Sequence, residues 1–360
     1  MTVPRAVFLT AQAGCAALAL ARLARGRTRR GPLVPGGPAP EGGVSVVVPA
    51  RDEAERLGPC LAGLRADADV DEVIVVVDDD DPSATAAVAR HGGARVLSAP
   101  PPAPGYIGKP WALQRGVEAA AGRWLVTLDA DTRPVPGLAR ALVRELAEAD
   151  LVTAGPRFVC ETAGERLLHP AMLATMVYRF GPLGAGEGGR AGRTVANGQC
   201  LAMRREPFLA AGGFDRAPGY MTDEIALVRA LAGDGWRIAF LDGADLIAVD
   251  MHASAREVWR EWGRSLSMGD VTTPGWQALD LAVLWLAMAL PLPRVLLRRS
   301  TPLDWLLAAV RVALLLALRR VYERRGAAFW LSPLADPVAA LRLTLSTVRP
   351  IRTWRGRTYA

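Results

Sequence analysis

Three short runs of β-branched and apolar residues, VSVVVPA (44–50), EVIVVV (72–77) and RWLVTL (123–128), limit the fold of this chain more than any other feature. Each is strand-length, and none shows the apolar–polar alternation of a strand with one wet face. Such continuous apolar strands belong in a parallel sheet covered on both sides. ADLVTA (149–154) reads as a weaker fourth strand. Between the strands lie helical patterns at 53–66, 82–91, 109–121 and 136–148, with Asp81–Pro82 as cap and first-turn pair for the second. Strand–helix repetition predicts an α/β doubly wound domain, mostly parallel, with ligands at the carboxyl ends of the strands.

The flanks are of another kind. Residues 6–21 form an uncharged apolar run followed by Arg22, Arg25, Arg27, Arg29 and Arg30. A signal peptide carries its positive charge ahead of the apolar run, so this order predicts an anchor helix over 1–24 with the N-terminus outside. Two more apolar runs, 278–297 and 303–318, are separated by Arg298–Arg299 and followed by Arg319, Arg320, Arg324 and Arg325. They predict a membrane hairpin over 269–325, although Asp280, Pro291, Pro293 and Arg311 are costly in lipid. The remainder, 326–360, mixes Trp, Leu and Arg and reads as an interfacial tail. Segment 25–42, rich in Arg, Gly and Pro, reads as a linker to the strand–helix block at 43–268. The expected location is the cell membrane, multi-pass, with that block in the cytoplasm.

Composition closes off other classes. The 51% hydrophobic content excludes a disordered chain. Four scattered cysteines and three scattered histidines make no disulfide framework or zinc site. Of the 43 basic residues one, Lys109, is lysine, so 43 − 1 = 42 are arginine. Arginines gathered beside apolar runs point to a membrane surface, and no nucleic-acid partner is expected.

The acids stand where the strands end. The second strand runs into Asp78, Asp79, Asp80 and Asp81, and the third into Asp129-Ala130-Asp131. Two carboxylates two residues apart in an extended turn can face one ligand. Hard oxygen donors at that spacing suit Mg²⁺ or Mn²⁺ held together with a substrate's phosphates. Further along, the 256–265 segment places Arg260 and Arg264 four residues apart on one helix face, where they could meet a leaving diphosphate, with Trp262 free to stack.

In order, VSVVVPARDEAERL (44–57), VVVDDDDPSAT (75–85), IGKPWALQRGVEAAAGRWLVTLDADT (107–132), NGQCLAMRRE (197–206) and GGFD (212–215) resemble the motifs of glycosyltransferase family 2, which has the nucleotide-sugar-binding GT-A fold. The resemblance covers about 42–268. It implies that Pro49, Arg51, Glu53, Asp78 and Asp79 hold the nucleoside. It places Asp129 nearer the ribose, Asp131 on the metal and Lys109 near the nucleotide. The family's Glu-Asp before an apolar helix is here Asp223-Glu224. Aligning IALVRAL with that helix puts Glu224 at the general-base position, with Asp223 as the other candidate. The polymer-synthase Q-x-x-R-W motif has no match, which favours transfer of a single sugar.

The resemblance therefore implies a metal-dependent, inverting hexosyltransferase using a UDP-sugar, glucose by default. G-K-P-W, DLIAVDM (245–251) and the closing W-R-G-R-x-Y (354–359) resemble bacterial carotenoid and hopanoid glycosyltransferases, so the expected acceptor is a membrane lipid in the bilayer. Polyprenyl phosphate, glycerolipid and sphingolipid acceptors stay open. A nucleotidyltransferase would need a Gly-rich loop after the first strand, and PARDEAERL has none. A non-catalytic membrane scaffold is the remote alternative.

Overall fold

The computed structural model describes residues 3–78, 81, 84–184 and 190–349 and the backbone of 353–354 and 357–358; the side chains of 3, 4 and 264 lie outside that description. The chain divides into two compact units. One comprises Arg30–Phe158 and Glu187–Met251, the other Met1–Arg29, Val159–Gly186 and His252–Ala360.

The first unit is built on a seven-stranded sheet. Its strands are β1 (Val44–Ala50), β2 (Glu72–Asp78), β3 (Arg95–Ala99), β4 (Trp124–Leu128), β6 (Leu151–Gly155), β8 (Cys200–Arg204) and β9 (Ile238–Asp242), in the order β3-β2-β1-β4-β8-β6-β9. All pairings are parallel except those of β8, which runs antiparallel to both β4 and β6. β5 (Thr132–Pro134), β10 (Ile247–Val249) and β7 (Arg157–Phe158) form a second, small sheet. Alternate residues of the strands feed two cores. Val46, Val48, Val126 and Leu128 pack in one cluster with Leu57, Leu61 and Leu64 of the Ala54–Ala66 helix and Leu138 and Leu142 of the Leu138–Glu145 helix. On the opposite face Val47 meets the Gly108–Ala119 helix. A Cβ on Gly116 would lie 2.3 Å from Val47 Cγ1, so only glycine lets this helix approach the sheet so closely.

The parallel core read from the sequence is present, with four differences. β3, β5, β7, β8, β9 and β10 were not anticipated. The helix expected from 82 begins at Thr85 with Ala84 as its N-cap, and Pro82 lies outside the described residues. The helix placed at 136–148 is shorter, Leu138–Glu145. The sheet unit is also not the continuous 43–268 block. The Ala163–Phe180 helix, closed by a Thr162/Glu165 capping box, groups with the terminal helices instead.

Among the described residues the second unit's regular structure is helical apart from a two-residue pairing, Thr353–Trp354 with Arg357–Thr358. Two of its helices bury charged side chains while exposing large apolar ones. On Pro302–Leu318 the buried side chains are Asp304, Leu307, Arg311 and Leu315, while Trp305, Leu306, Val312 and Leu316 are exposed. On Asp336–Val348, Asp336, Arg342 and Ser346 are buried beside Ala339, Ala340 and Leu343, while Val338, Leu341, Leu345 and Val348 are exposed. Arg342 donates to Trp259 O at 2.7 Å, and the other buried charges named here have side-chain partners. Arg311 makes a bidentate contact with Asp336 at 2.7 and 2.9 Å. Asp280 receives Arg22 at 3.1 Å and Arg179 at 3.5 Å, and Gln12 donates to Asp304 at 2.8 Å. Two helices, Arg5–Thr28 and Pro274–Leu296, are long and apolar enough to cross a membrane. The helix expected to complete the hairpin, Pro302–Leu318, has 17 residues and falls short of the ~20 a crossing needs, so helix length does not support the multi-pass expectation.

Candidate active site

β4 ends at Leu128 and the chain turns at once through Asp129, Ala130 and Asp131 into β5. The turn is closed by Thr132, whose N–H and hydroxyl both donate to the Asp129 carbonyl, at 3.1 and 2.7 Å. Because β8 runs antiparallel, its N-terminal end lies at the same edge of the sheet as the carboxyl end of β4. The Asn197-Gly198-Gln199 segment therefore arrives beside the D-A-D turn, and Asp129 N–H donates to Gln199 O at 3.1 Å.

Lys109, at the first turn of the Gly108–Ala119 helix, bridges this edge. Its ammonium lies 2.6 Å from Asp129 Oδ1 and donates to Gly198 O at 3.4 Å. Asp223 and Glu224 open the Asp223–Gly233 helix. Glu224 folds against Gly198 so closely that a Cβ there would sit 3.2 Å from Glu224 Cβ, Cγ and Cδ. Thr222 is the N-cap, but its side chain makes no cap bond.

The electrostatics follow from four carboxylates sharing one buried ammonium. Burial pushes the Asp131 carboxyl up to about 7; the charges of Asp129 and Glu53 add to this, and Lys109 opposes it. Burial, then the charge of Asp223, pushes Glu224 up to about 8 against the pull of Lys109. Asp223 is also raised by burial, with Lys109 opposing. Burial works against the Lys109 ammonium, but Asp129, Asp223 and Glu224 outweigh it and raise its pKa.

The residues expected on the nucleoside side sit in or near the ends of β1 and β2. Pro49 is within β1, paired with Val76. Arg51 follows β1 and contacts Asp78 at 2.5 Å, the buried last residue of β2. Asp52 takes a left-handed φ of 56°, which turns the chain sharply into the helix capped by Glu53. Glu53 N–H donates to Thr85 Oγ1 at 3.2 Å. Asp79 lies outside the described residues, as does the side chain of Arg264. Arg260 belongs to the helical unit and contacts Glu261 at 2.7 Å and Glu257 at 4.0 Å. Trp262, expected to be available for stacking, is instead a core residue. It is 6% exposed, with its ring centroid 3.9 Å from that of His169.

The site suits a divalent cation in one respect that the structure displays. Asp131 Oδ1 is buried and has no hydrogen-bond partner. A carboxylate oxygen kept dry and unmatched costs about 1–3 kcal/mol or more, and a bound cation removes that cost. Among the described residues no three His, Cys, Asp or Glu side chains are grouped to hold an ion by themselves. Asp131 and Asp129 would supply two oxygens, and the substrate's phosphates and water the rest.

A family model described as glycosyltransferase like family 2 matches residues 40–268. No curated protein sequence matches the chain. A mannosyltransferase from Pyrobaculum calidifontis, solved with GDP-Man and Mn²⁺, is similar in fold. It is 18% identical over 95% of this chain and 97% of that one, with a TM-score of 0.55. Glucosyl-3-phosphoglycerate synthase from Mycobacterium tuberculosis, solved with Mn²⁺, UDP and glucosyl-3-phosphoglycerate, is 23% identical over 63% of this chain and 78% of that one, with a TM-score of 0.44.

Proposed function

The chain belongs to the glycosyltransferase-like family 2, and from that premise we propose that it is a membrane-bound, inverting hexosyltransferase. It moves one hexose, glucose as first choice, from a UDP-sugar to a hydroxyl or carboxyl of a lipid, with a carotenoid-like lipid preferred. The observation that carries this reading is the meeting of Asp129, Asp131, Lys109 and Glu224 at one edge of the sheet.

Asp78, Arg51, Glu53 and Pro49 cradle the nucleoside. Asp131 and Asp129 would hold a divalent cation, which would supply positive charge against the diphosphate, and the Lys109 ammonium beside Asp129 adds to that neutralisation. Glu224 takes the proton from the acceptor O–H. The acceptor oxygen then bonds to the anomeric carbon as the bond from that carbon to the phosphate oxygen breaks. The electron pair leaves with UDP, and attack from the opposite face inverts the centre. General-base help of this kind contributes roughly 10²–10⁴ in rate.

The inverted helices support the membrane part of the reading. A helix that buries Asp304 and Arg311 while exposing Trp305, Leu306, Val312 and Leu316 is patterned for lipid outside and protein inside. The arginines that follow it, Arg319, Arg320, Arg324 and Arg325, favour a cytoplasmic location for that end.

The test is incubation of membranes holding the full chain with radiolabelled UDP-glucose and Mn²⁺, followed by lipid extraction. A labelled lipid that disappears with Asp131→Ala is expected, and its mass identifies carotenoid, polyprenyl phosphate, glycerolipid or sphingolipid. A protein that binds neither UDP nor GDP, and labels nothing, refutes the proposal.

A further inference from the structure

Gln199 has no role in the chemistry above, yet its side chain is held with more care than a turn residue requires. Thr153 Oγ1 donates to Asn197 O and accepts from Asn197 N–H, both at 2.9 Å, which fixes the Asn197 backbone to β6. Asn197 Oδ1 accepts from Gln199 N–H at 3.0 Å, so the other end of that amide, Nδ2, must be the donor. It donates to Gln199 Oε1 at 3.0 Å. This chain of bonds settles which end of the Gln199 amide is which and leaves Nε2 with two N–H groups to give. Gln199 is 6% exposed, and Nε2 is buried with no hydrogen-bond partner. A buried donor left unmatched costs about 1–3 kcal/mol, so its retention asks for an explanation.

Position supplies one. The β4–β8 ladder ends with Leu128 opposite Cys200, and the next step sets Gln199 across from Asp129. Neighbours across an antiparallel pair lie on the same face. That face is the one covered by the Gly108–Ala119 helix, since Val47 pairs with Thr127 and touches Gly116, and Asp129 meets Lys109. Gly198, the preceding residue, lies against Glu224. Gln199 thus stands between the D-A-D carboxylates and the base. In an in-line displacement the sugar ring lies between the leaving phosphate and the attacking oxygen, which is this same interval. Charge on the diphosphate is matched by Lys109 and the cation. A neutral pair of N–H groups is suited to the lone pairs of a hydroxyl.

We propose that Gln199 is a specificity residue whose Nε2 donates to a hydroxyl of the transferred sugar, with Asn197 as the residue that positions it. This rests on the glycosyltransferase reading and adds the part of the donor that the residue sees. The experiment uses full-length protein in detergent, UDP, UDP-glucose and the monodeoxy forms of its glucose, one for each ring hydroxyl. UDP affinity is measured by calorimetry and donor use by UDP release.

Gln199→Leu and Gln199→Glu should keep UDP affinity within about two-fold, which also reports folding, and lose about 10- to 100-fold in kcat/KM for UDP-glucose. One deoxy donor should lose a similar factor with the natural protein and almost nothing further with Gln199→Leu. If every deoxy donor loses the same factor in both proteins, or if UDP affinity falls as far as donor use does, the proposal is overturned. A natural protein that binds no nucleoside diphosphate overturns the donor reading itself and this assignment with it.

Discussion

Replacing Glu224 by Gln should remove activity and add stability, and the two effects should separate by pH. Burial and the Asp223 charge lift the folded-state carboxyl from 4.5 to about 8. A folded protein that binds a proton more tightly than the unfolded chain loses stability as pH rises through the interval between the two values. For Glu224 that loss begins near the unfolded value and is complete once pH has passed about 8. One pKa unit is worth 1.36 kcal/mol, so the whole interval sets a ceiling of about 4–5 kcal/mol. Glu224 titrates together with Asp223, and the Lys109 ammonium opposes the shift, so about 1–2 kcal/mol is the expected difference. Glutamine has the shape of the protonated acid at every pH. Glu224→Gln should therefore match the natural protein at pH 5 and melt about 2–6 °C higher at pH 9. Thermal melts in one detergent across that range provide the measurement. In the same samples transfer should fall about 10²–10⁴-fold with UDP affinity kept. Equal melting differences at both pH values would refute the buried, proton-holding carboxyl. Retained transfer, with Asp223→Asn inactive, would give the base role to Asp223.

Asp131→Asn should abolish transfer and also the rise in melting temperature on adding Mn²⁺, which for the natural protein at about 100 times its Kd corresponds to about 2.7 kcal/mol; an undiminished Mn²⁺ shift would exclude Asp131 as a ligand. In the helical unit, Arg311→Met should cost about 3–5 kcal/mol by stranding Asp336, and Arg311→Met with Asp336→Leu should recover most of it. Detergent melts of the two variants check this, and equal losses would mean the pair is not what the substitution breaks. Lys109→Arg keeps the charge yet should lower kcat about ten-fold or more with little change in the amount of folded protein; natural turnover would show that any cation suffices.

Much of the sheet was legible because its central strands are apolar on both faces. β1, β2 and β4 could be read residue by residue, and so could the acids directly after β2 and β4. β3 was hidden because its residues are mostly half-buried or exposed, so RVLSA carries little apolar signal. β8 was hidden by direction. CLAMR looks like an ordinary strand, but nothing local says that it runs antiparallel and brings its preceding polar residues, Asn197 and Gln199, to the ligand edge. A sequence signal did exist. Polar residues stand immediately before an apolar run here, the mirror image of acids immediately after one. Trp262 misled for the opposite reason. On a helix rich in arginine it looked available, and packing against His169 from a distant segment, with His252 alongside, helps bury it. The inverted helices read as apolar runs with awkward charges; the pairing of Arg311 with Asp336, 25 residues on, is what resolves the awkwardness.

The one lysine is informative because the rest of the chain so consistently uses arginine. Arginine delivers its charge through a planar fork that matches a single carboxylate edge-on, as Arg311 does with both oxygens of Asp336. Position 109 asks for something different. Its cation contacts Asp129, donates to the Gly198 carbonyl and acts on Asp223 and Glu224 from a space bounded by a glycine where a Cβ would crowd the Glu224 side chain at 3.2 Å. A compact ammonium with three rotatable donors satisfies divergent partners, whereas a fork oriented on Asp129 would carry its second nitrogen toward Gly198 and Glu224. The same compactness leaves the ammonium free to turn from Asp129 toward a phosphate without moving the helix. Substitution by arginine would therefore test shape at constant charge, and the expected loss of turnover would appear in kcat, where Glu224 is displaced, more than in UDP affinity, where the positive charge is kept.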